Sequence, residues 1–437
     1  MRRSTTPGSH VRTLAPKGGA AAILVAAILL AGAGSASAAG NNDGGYWYYQ
    51  DYGVADAAAE GYTGAGVTVA VIDLQVNTAV PELSDADITV REPSFCSVDV
   101  GSTEPAPAES DDFASASHAT EMISYLAGNG KGSGGSDAPL GVAPDAKILY
   151  YSTGYEVFEG NNGCPLLSGE GNFASGSTTA IASAINEAVA DGADIISISI
   201  SSGGSNDELY GAVANAIRSG VVVVAARPNS GASTDDTTMW GTNGVVTVQA
   251  MDVDGVIQKS SAVADPYIDV VGPGVDVIGR GTSFDDHGLV SGTSSATAIT
   301  AGFLAVVKSK YPDATGSQLI QSLIRNTGVE DHELERDPDN MYGYGAVSLR
   351  HMLANDPTLY DDVNPVLTTD SMDLPTFEDV YGAETTDPTA VPNEDPAAGN
   401  SHLVVLLVIA IVGVLVVAGL IILTVVLVRR SNRKSRA

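Results

Sequence analysis

Short apolar runs alternate with amphipathic segments over residues 67–353, and this alternation constrains the fold more than any other feature. Apolar residues recur with the helical period of 3.6 in the amphipathic segments 119–128, 178–192, 206–220 and 295–311. Strands and helices in alternation predict an α/β fold with a parallel sheet covered on both faces. The runs predicted to be buried strands are VTVAVID (67–73), AKILYYS (146–152), ADIISISIS (193–201), GVVVVAA (220–226) and GVVTVQAM (244–251).

The N-terminal segment resembles an export signal. Residues 1–38 contain four basic and no acidic residues, an apolar run at 20–31, and an Ala-Ser-Ala sequence that ends at Ala38. This order predicts a signal peptide that is removed just before residue 39. Residues 39–62 are rich in Gly and Tyr, and we expect them to form an ordered N-terminal arm with a short helix.

The C-terminal segment predicts a membrane anchor. Residues 403–428 carry no charge over 26 positions, which as a helix is about 39 Å long, and a bilayer core is about 30 Å thick. Five basic residues follow at 429–437, so this tail is expected to stay in the cytoplasm. The chain would then be a single-pass type I protein of the cell membrane. Residues 354–402, rich in Asp, Glu, Pro and Thr, are expected to form an acidic, extended stalk.

The charge balance excludes one class of partner. Nine of the 21 basic residues lie in the predicted signal peptide and tail, which leaves 12 basic against 52 acidic residues in the exported part, a formal charge of −40. Nucleic acid is therefore excluded, because phosphate binding needs clustered Lys and Arg. Acidic pairs such as 235–236 and 361–362 leave calcium open, but a solvated acidic surface is the simpler interpretation and no metal site is predicted.

The two cysteines, Cys96 and Cys164, both belong to the exported part. Outside the cytosol such a pair favours a disulfide. Two unrelated thiols are the alternative, which the polar loops around both residues disfavour.

Three chemically distinctive side chains fall at predicted element ends. Asp73 ends the first apolar run, where a buried carboxylate would be costly without a partner. His118 and Ser294 stand at the starts of helical patterns. Functional groups of open parallel sheets collect outside the carboxyl ends of the strands, and Asp, His and Ser together suit a nucleophilic triad. The simpler hypothesis for Ser294 is a helix N-cap.

Several segments resemble the successive landmarks of subtilisin-like serine peptidases, in that family's order. They are GYTGAGVTVAVID, SHATEMISYLAG, GVAPDAKI, VVVVAARPNSG, SGTSSATAITAG and, as a closing segment, MYGYGAVSLRHML. The resemblance covers about residues 45–353 and implies a peptidase domain at 63–353 with a three-layer fold and a seven-stranded parallel sheet. It implies hydrolysis of peptide bonds through an acyl-enzyme, without a cofactor. It assigns the catalytic triad to Asp73, His118 and Ser294, the oxyanion-hole donor to Asn229, and a substrate-pairing strand to Ser199, Ile200 and Ser201.

The sequence also departs from the family pattern. Such departures motivate an alternative hypothesis, in which the fold serves as a catalytically weak or inactive binding component of a membrane complex. Leu74 and Gln75 follow the Asp where Ser or Thr and then Gly are usual, Ala119 replaces a Gly, Arg227 and Pro228 replace Ala-Gly before Asn229, and Ser201 replaces a Gly.

The whole architecture resembles that of the mycosins, which are membrane-anchored subtilases associated with type VII secretion. The resemblance rests on the order of signal peptide, short arm, peptidase domain, stalk and C-terminal span. It implies exported proteins or peptides as substrates outside the cytoplasm and components of a secretion system as partners.

Overall fold

The computed structural model of the chain describes most of the predicted peptidase domain and residues on either side of it. The predicted signal peptide (1–38), transmembrane helix (403–428) and basic tail (429–437) lie outside the described residues. Among the helices that are described, none is long and apolar enough to cross a bilayer. The described residues are 44–158, 161–166, 173–200, 204–229, 239–328, 335–370 and 372–382.

Strands and helices follow one another along the chain largely as the apolar pattern predicts. The strands are β1 (Thr68–Asp73), β2 (Ile88–Val90), β3 (Asn129–Lys131), β4 (Asp137–Leu140), β5 (Lys147–Ser152), β6 (Tyr155–Phe158), β7 (Asn161–Gly163), β8 (Ile195–Ile198), β9 (Val222–Ala226), β10 (Val246–Met251), β11 (Val270–Pro273), β12 (Val277–Arg280) and β13 (His287–Val290). The α-helices are α1 (Trp47–Gln50), α2 (Val54–Ala59), α3 (Phe113–Ala127), α4 (Phe173–Ala190), α5 (Asp207–Arg218), α6 (Thr293–Lys310), α7 (Gly316–Arg325), α8 (Leu349–Ala354) and α9 (Phe377–Tyr381).

Seven parallel strands form the central sheet, in the order β11-β10-β9-β8-β1-β5-β2. The predicted seven-stranded parallel sheet is therefore confirmed. The five strands predicted from apolar runs are its five inner members. The two edge strands, β2 and β11, were not predicted from the sequence. Both are short, and β2 is only half buried, so neither has a long apolar run.

Alternate residues of the inner strands face two separate cores, as the period of a strand requires. In β1, Val69 and Val71 pack in one core with residues of α3 and α6. Ala70 and Ile72 pack in the other core with residues of α4 and α5. Both faces of the sheet are thus covered, which explains why these strands are apolar throughout. Helix α6 is buried over most of its length beneath the sheet.

The residues before the predicted domain boundary at 63 belong to the folded unit. Trp47 and Tyr48 of α1 are buried in the larger core. The indole Nε1–H of Trp47 donates to the Val275 carbonyl oxygen at 3.2 Å. The Tyr48 hydroxyl donates to the carbonyl oxygen of Leu140 at 2.8 Å and accepts from its N–H at 3.0 Å.

The prediction of an extended stalk from residue 354 is wrong for residues 355–370 and 372–382. This segment forms a 3₁₀ turn at Pro357–Leu359 and helix α9. Leu367 and Val380 are buried in the core beside α5, and the Asn364 side-chain amide donates to the Gly244 carbonyl oxygen at 2.9 Å. The sequence suggested a stalk because the few apolar residues that pack here are irregularly spaced and give no helical or strand period.

Cys96 and Cys164 form the predicted disulfide, with their Cα atoms 5.0 Å apart. Cys96 lies between β2 and α3, and Cys164 follows β7 directly. Both side chains are fully buried in a small cluster with Ala106 and Ala180. The bond therefore ties together two long connections of the domain.

The packing of the C-terminal segment predicts unequal effects of two leucine truncations. Leu367 is 5% exposed and Leu359 is 82% exposed. Leu367→Ala should lower the free energy of unfolding by roughly 2–5 kcal/mol, because it removes buried methyl groups and leaves a cavity. Leu359→Ala, the matched control, should change it by less than about 0.5 kcal/mol. Urea unfolding measures both, and equal effects would contradict the described packing.

Candidate active site

The residues singled out from the sequence converge on the carboxyl-terminal edge of the sheet. Asp73 is the last residue of β1, Ser199 follows β8 directly, and Asn229 comes three residues after β9. Ser294 is the second residue of α6. The prediction that His118 starts a helix is wrong, because α3 begins five residues earlier at Phe113 with Asp112 as its side-chain N-cap.

Asp73 and His118 form a hydrogen-bonded pair. The His118 Nδ1 and Asp73 Oδ1 atoms are 2.8 Å apart. Asp73 is fully buried, whereas the His118 side chain is 34% exposed. Asp73 Oδ1 also accepts from the Leu74 N–H at 2.7 Å. With Nδ1–H donating to the carboxylate, a neutral His118 presents its other nitrogen, Nε2, as an acceptor.

The surroundings of His118 raise its pKa above the ordinary value of 6.5. Burial lowers this pKa, but the Asp73 carboxylate raises it by charge and by hydrogen bonding, and Glu121 raises it further. Glu121 lies on the same helix, three residues after His118, and its Oε2 accepts from the Arg280 N–H. Burial in turn raises the pKa of Glu121. Sequence reasoning missed this second carboxylate.

Ser294 is not a helix cap. The N-cap position of α6 is Gly292, which has no side chain with which to cap the helix. Instead, Ser294 Oγ donates to the Ser199 carbonyl oxygen at 2.9 Å, and Ser199 Oγ donates to the Ser294 carbonyl oxygen at 3.1 Å. To donate to His118 instead, the Ser294 hydroxyl would have to leave the Ser199 carbonyl.

The Asn229 side chain is oriented by a hydrogen bond to the start of α6. Its Oδ1 accepts from the Thr293 N–H at 2.9 Å. A backbone N–H can only donate, so this bond fixes which side of the amide carries oxygen. Asn229 is exposed, and a Cβ placed on Gly292 would lie 3.8 Å from Asn229 Nδ2, Asn229 Oδ1 and Ser294 N. The Asn229 amide group and the Ser294 N–H therefore both lie close to Gly292.

Comparison with known proteins identifies the family. A sequence model of the Subtilase family matches residues 64–345. The chain belongs to the Subtilase family. Members of this family are serine endopeptidases, and the segments that carry the observed constellation all lie within the matched residues.

Individual subtilases resemble the chain to different extents. Mycosin-5 from Mycobacterium tuberculosis (strain ATCC 25618 / H37Rv) is 31% identical over 124 residues, which span 25% of this chain but only 20% of that relative. The crystal structure of MycP1 from Mycobacterium smegmatis superposes with a TM-score of 0.55 at 22% identity, covering 74% of this chain and 86% of that chain. Another structure, of MycP1 as an essential component of the type VII (ESX-1) secretion system, has a TM-score of 0.52 at 25% identity and covers 71% and 88%, respectively.

Arg227, which departs from the subtilase pattern, forms a buried ion pair with Asp265. The Arg227 side chain is 1% exposed, and its Nε donates to Asp265 Oδ2 at 2.9 Å. Its Nη1 donates to the Ser261 carbonyl oxygen, also at 2.9 Å. Removal of one partner alone would leave an uncompensated buried charge, at a cost of about 3–5 kcal/mol. Neither Asp265 nor Ser261 was singled out from the sequence.

The departures after Asp73 and after His118 are also packed into the subtilase domain. Leu74 is buried and its carbonyl oxygen accepts from the Tyr150 hydroxyl. The Gln75 amide donates to the Pro107 carbonyl oxygen at 2.9 Å. Ala119, in place of the usual Gly, is fully buried in the core.

Of the predicted substrate-pairing strand, Ser199 is buried and Ile200 is half-buried. Ser201 lies outside the described residues. Beyond the hydrogen bonds between Ser199 and Ser294, the substrate-pairing role of this strand stays a prediction.

The electrostatics of His118 predict a measurable shift in its titration. In ¹⁵N-histidine-labelled protein, the midpoint for His118 should lie above 6.5. Glu121→Gln should lower that midpoint, because the removed negative charge stabilises the imidazolium form. The Gln oxygen can still accept from the Arg280 N–H. Glu60→Gln, at an exposed site, is the control and should leave the midpoint unchanged. An unchanged or higher midpoint in Glu121→Gln would refute the assigned cause.

Proposed function

We propose that the chain is an extracytoplasmic serine endopeptidase that hydrolyses peptide bonds of exported proteins through an acyl-enzyme on Ser294. The observation that carries this proposal is the His118–Asp73 hydrogen bond at 2.8 Å in a subtilase domain whose Ser294 and Asn229 lie together at the start of α6. Asp73 orients His118 and stabilises its protonated form, His118 acts as general base and acid, and Ser294 is the nucleophile.

The proposed reaction uses only these side chains. His118 Nε2 takes the Ser294 hydroxyl proton as Oγ bonds to the substrate carbonyl carbon, whose oxygen becomes negatively charged. Asn229 Nδ2–H and the Ser294 N–H donate to that oxygen. His118 then gives its proton to the leaving amine as the C–N bond breaks. Water, deprotonated by His118, hydrolyses the ester and restores Ser294. No metal or cofactor takes part in these steps.

The fold supports the oxyanion in two ways. The first N–H groups of a helix lack partners within the helix, so the start of α6 presents donors and the positive end of its dipole. Asn229 adds a side-chain donor whose orientation is set before substrate binds. In related chemistry, loss of one such donor costs about 10²–10³ in rate.

We further propose that Ser199, Ile200 and Ser201 pair with the substrate backbone as an added strand. The direct contact between Ser199 and Ser294 supports a substrate path along this segment. A peptide there would lie next to the nucleophile, and its backbone would form ladder hydrogen bonds independent of its side chains.

The location rests on the terminal segments. Residues 1–38 have the composition of a signal peptide, and residues 403–428 are long enough and apolar enough to anchor the chain. The similarity to Mycosin-5 and to MycP1, an essential component of a type VII secretion system, supports a mycosin-like role beside such a system. Substrates would be exported proteins near the membrane.

One observation favours a second candidate function, that of an inactive subtilase that serves as a binding component of a membrane complex. Ser294 Oγ donates to Ser199 rather than to His118. If this hydroxyl never leaves the Ser199 carbonyl, the nucleophile is not activated.

Covalent labelling distinguishes the two candidates. The full chain, treated with a fluorophosphonate probe, should be labelled at Ser294, and Ser294→Ala should abolish the labelling. Asn229→Ala should reduce the maximal rate constant of labelling about 10²–10³-fold. Ser205→Ala, a serine hydroxyl outside the proposed machinery, is the control and should label like the wild type. A folded wild type that takes no label would reject the peptidase in favour of the binding component.

Membrane extraction tests the proposed location. Expressed in a host with a general export pathway, the full chain should remain in the membrane pellet after alkaline carbonate, with a mature N-terminus near residue 39. A chain that ends at residue 402 should appear in the soluble fraction, because it lacks the apolar segment. Recovery of the full chain in the carbonate supernatant would refute the anchor.

A further inference from the structure

Arg227 is connected to the proposed oxyanion site through its backbone as well as its side chain. Its carbonyl oxygen accepts from Thr293 Oγ1 at 2.5 Å. The N–H of the same Thr293 donates to Asn229 Oδ1 at 2.9 Å. A single buried residue at the start of α6 therefore holds both ends of the turn from Arg227 to Asn229.

The guanidinium fixes the same turn from the opposite side. Its donors reach Asp265 Oδ2 and the Ser261 carbonyl oxygen, each at 2.9 Å. A guanidinium is a planar fork whose donors have fixed relative directions, so two such bonds define its orientation as well as its position. The Arg227 N–H also donates to the Val248 carbonyl oxygen at 3.1 Å, which continues the pairing of β9 with β10.

The groups that receive Arg227 are themselves fixed. Asp265 Oδ1 accepts from the Tyr267 N–H at 3.0 Å. The Ser261 hydroxyl donates to Gln249 Oε1 at 2.8 Å, and the Gln249 amide donates back to the Ser261 carbonyl oxygen at 2.9 Å. Gln249 belongs to β10 and is fully buried. The turn is thereby anchored to the central sheet.

We propose that Arg227 is a positioning residue that, together with Asp265, orients Asn229 for oxyanion stabilisation. This inference rests on the proposed function. A small residue followed by Gly is usual before the oxyanion Asn, whereas Arg227 and Pro228 stand here. The proline fixes one backbone torsion angle, and the buried guanidinium fixes the residue before it. An error of about 1 Å in such a donor can cost about 10²-fold in rate, so a rigid turn has a direct catalytic consequence.

A variant without either buried charge separates this role from mere core filling. In Arg227→Met with Asp265→Asn, the Asn oxygen can still accept from the Tyr267 N–H, and the Ser261 carbonyl still accepts from Gln249. Because both charges leave together, no unpaired charge stays buried. We expect the full chain to unfold near the wild-type temperature. The maximal rate constant of fluorophosphonate labelling should fall about 100-fold, with the half-saturating probe concentration within about threefold.

A third substitution tests whether the effect of Arg227 on the labelling rate depends on Asn229. If Arg227 acts through Asn229, adding Asn229→Ala to the double variant should slow labelling no further than Asn229→Ala alone. The matched control is Arg91→Met with Glu187→Gln, which removes a half-exposed ion pair of the same charge and should keep the wild-type rate. A wild-type rate in the double variant, or losses that multiply with Asn229→Ala, would overturn the proposal.

Two further measurements apply if the double variant does not fold or if the chain shows no activity. If the double variant does not fold, Arg227→Lys keeps the charge but not the fork. Its labelling rate should fall about tenfold, and a wild-type rate would overturn the proposal. In ¹⁵N-asparagine-labelled protein, the Asn229 side-chain signal, assigned by its loss in Asn229→Ala, should be single in the wild type and shifted or broadened in the variants. An unchanged signal would overturn the positioning role even in a chain without activity. A shifted signal in a chain whose wild type takes no label would reject the proposed function alone.

Discussion

The structure of the site depends on the Asp73 carboxylate, which is fully buried at the end of β1, an inner strand of the sheet. Burial of a carboxylate is costly unless hydrogen-bond donors compensate for the water that it loses. The Leu74 N–H and the His118 ring both bond to Asp73 Oδ1, whereas Oδ2 is buried without a hydrogen-bond partner among the described residues. The His118 ring is therefore one of the two groups that compensate for the burial of this charge. Helix α3 must hold the ring over the sheet edge, and α3 packs directly on α6, which carries Ser294.

Two buried acid–arginine pairs differ in how completely their polar atoms are hydrogen-bonded. Among the described residues, the Arg227–Asp265 pair leaves no buried side-chain polar atom of either residue without a partner. The pair of Arg280 with Glu82, at 2.6 Å, lies beside His287. At this second pair, three buried atoms have no hydrogen-bond partner in the described part of the chain: Glu82 Oε2, Arg280 Nε and His287 Nδ1. A fully satisfied polar network specifies one conformation of its surroundings, and it is the network beside Asn229 that is satisfied.

The departures from the subtilase pattern share a physical explanation. Each places a larger side chain where the family has a smaller one, and two of these side chains have hydrogen-bond partners elsewhere in the chain. Gln75 bonds to the Pro107 carbonyl oxygen, and Arg227 pairs with Asp265. At these two positions the larger side chain adds specific contacts where a glycine or another small residue would leave the backbone freer.

The architecture could be predicted from the amino-acid sequence, as could the residues that we propose to react. Buried parallel strands must be apolar on both faces, so their runs are visible in the sequence, and the landmark segments around Asp73, His118 and Ser294 indicate the chemistry. The contacts that hold those groups in place are visible only in the folded structure. That Asp265 pairs with Arg227, that Thr293 bonds to Asn229, and that Leu367 and Val380 pack in the core with α5 depend on contacts between residues far apart in the chain. Such contacts follow from shape and hydrogen-bond direction at single sites, and these leave no periodic signal in a sequence.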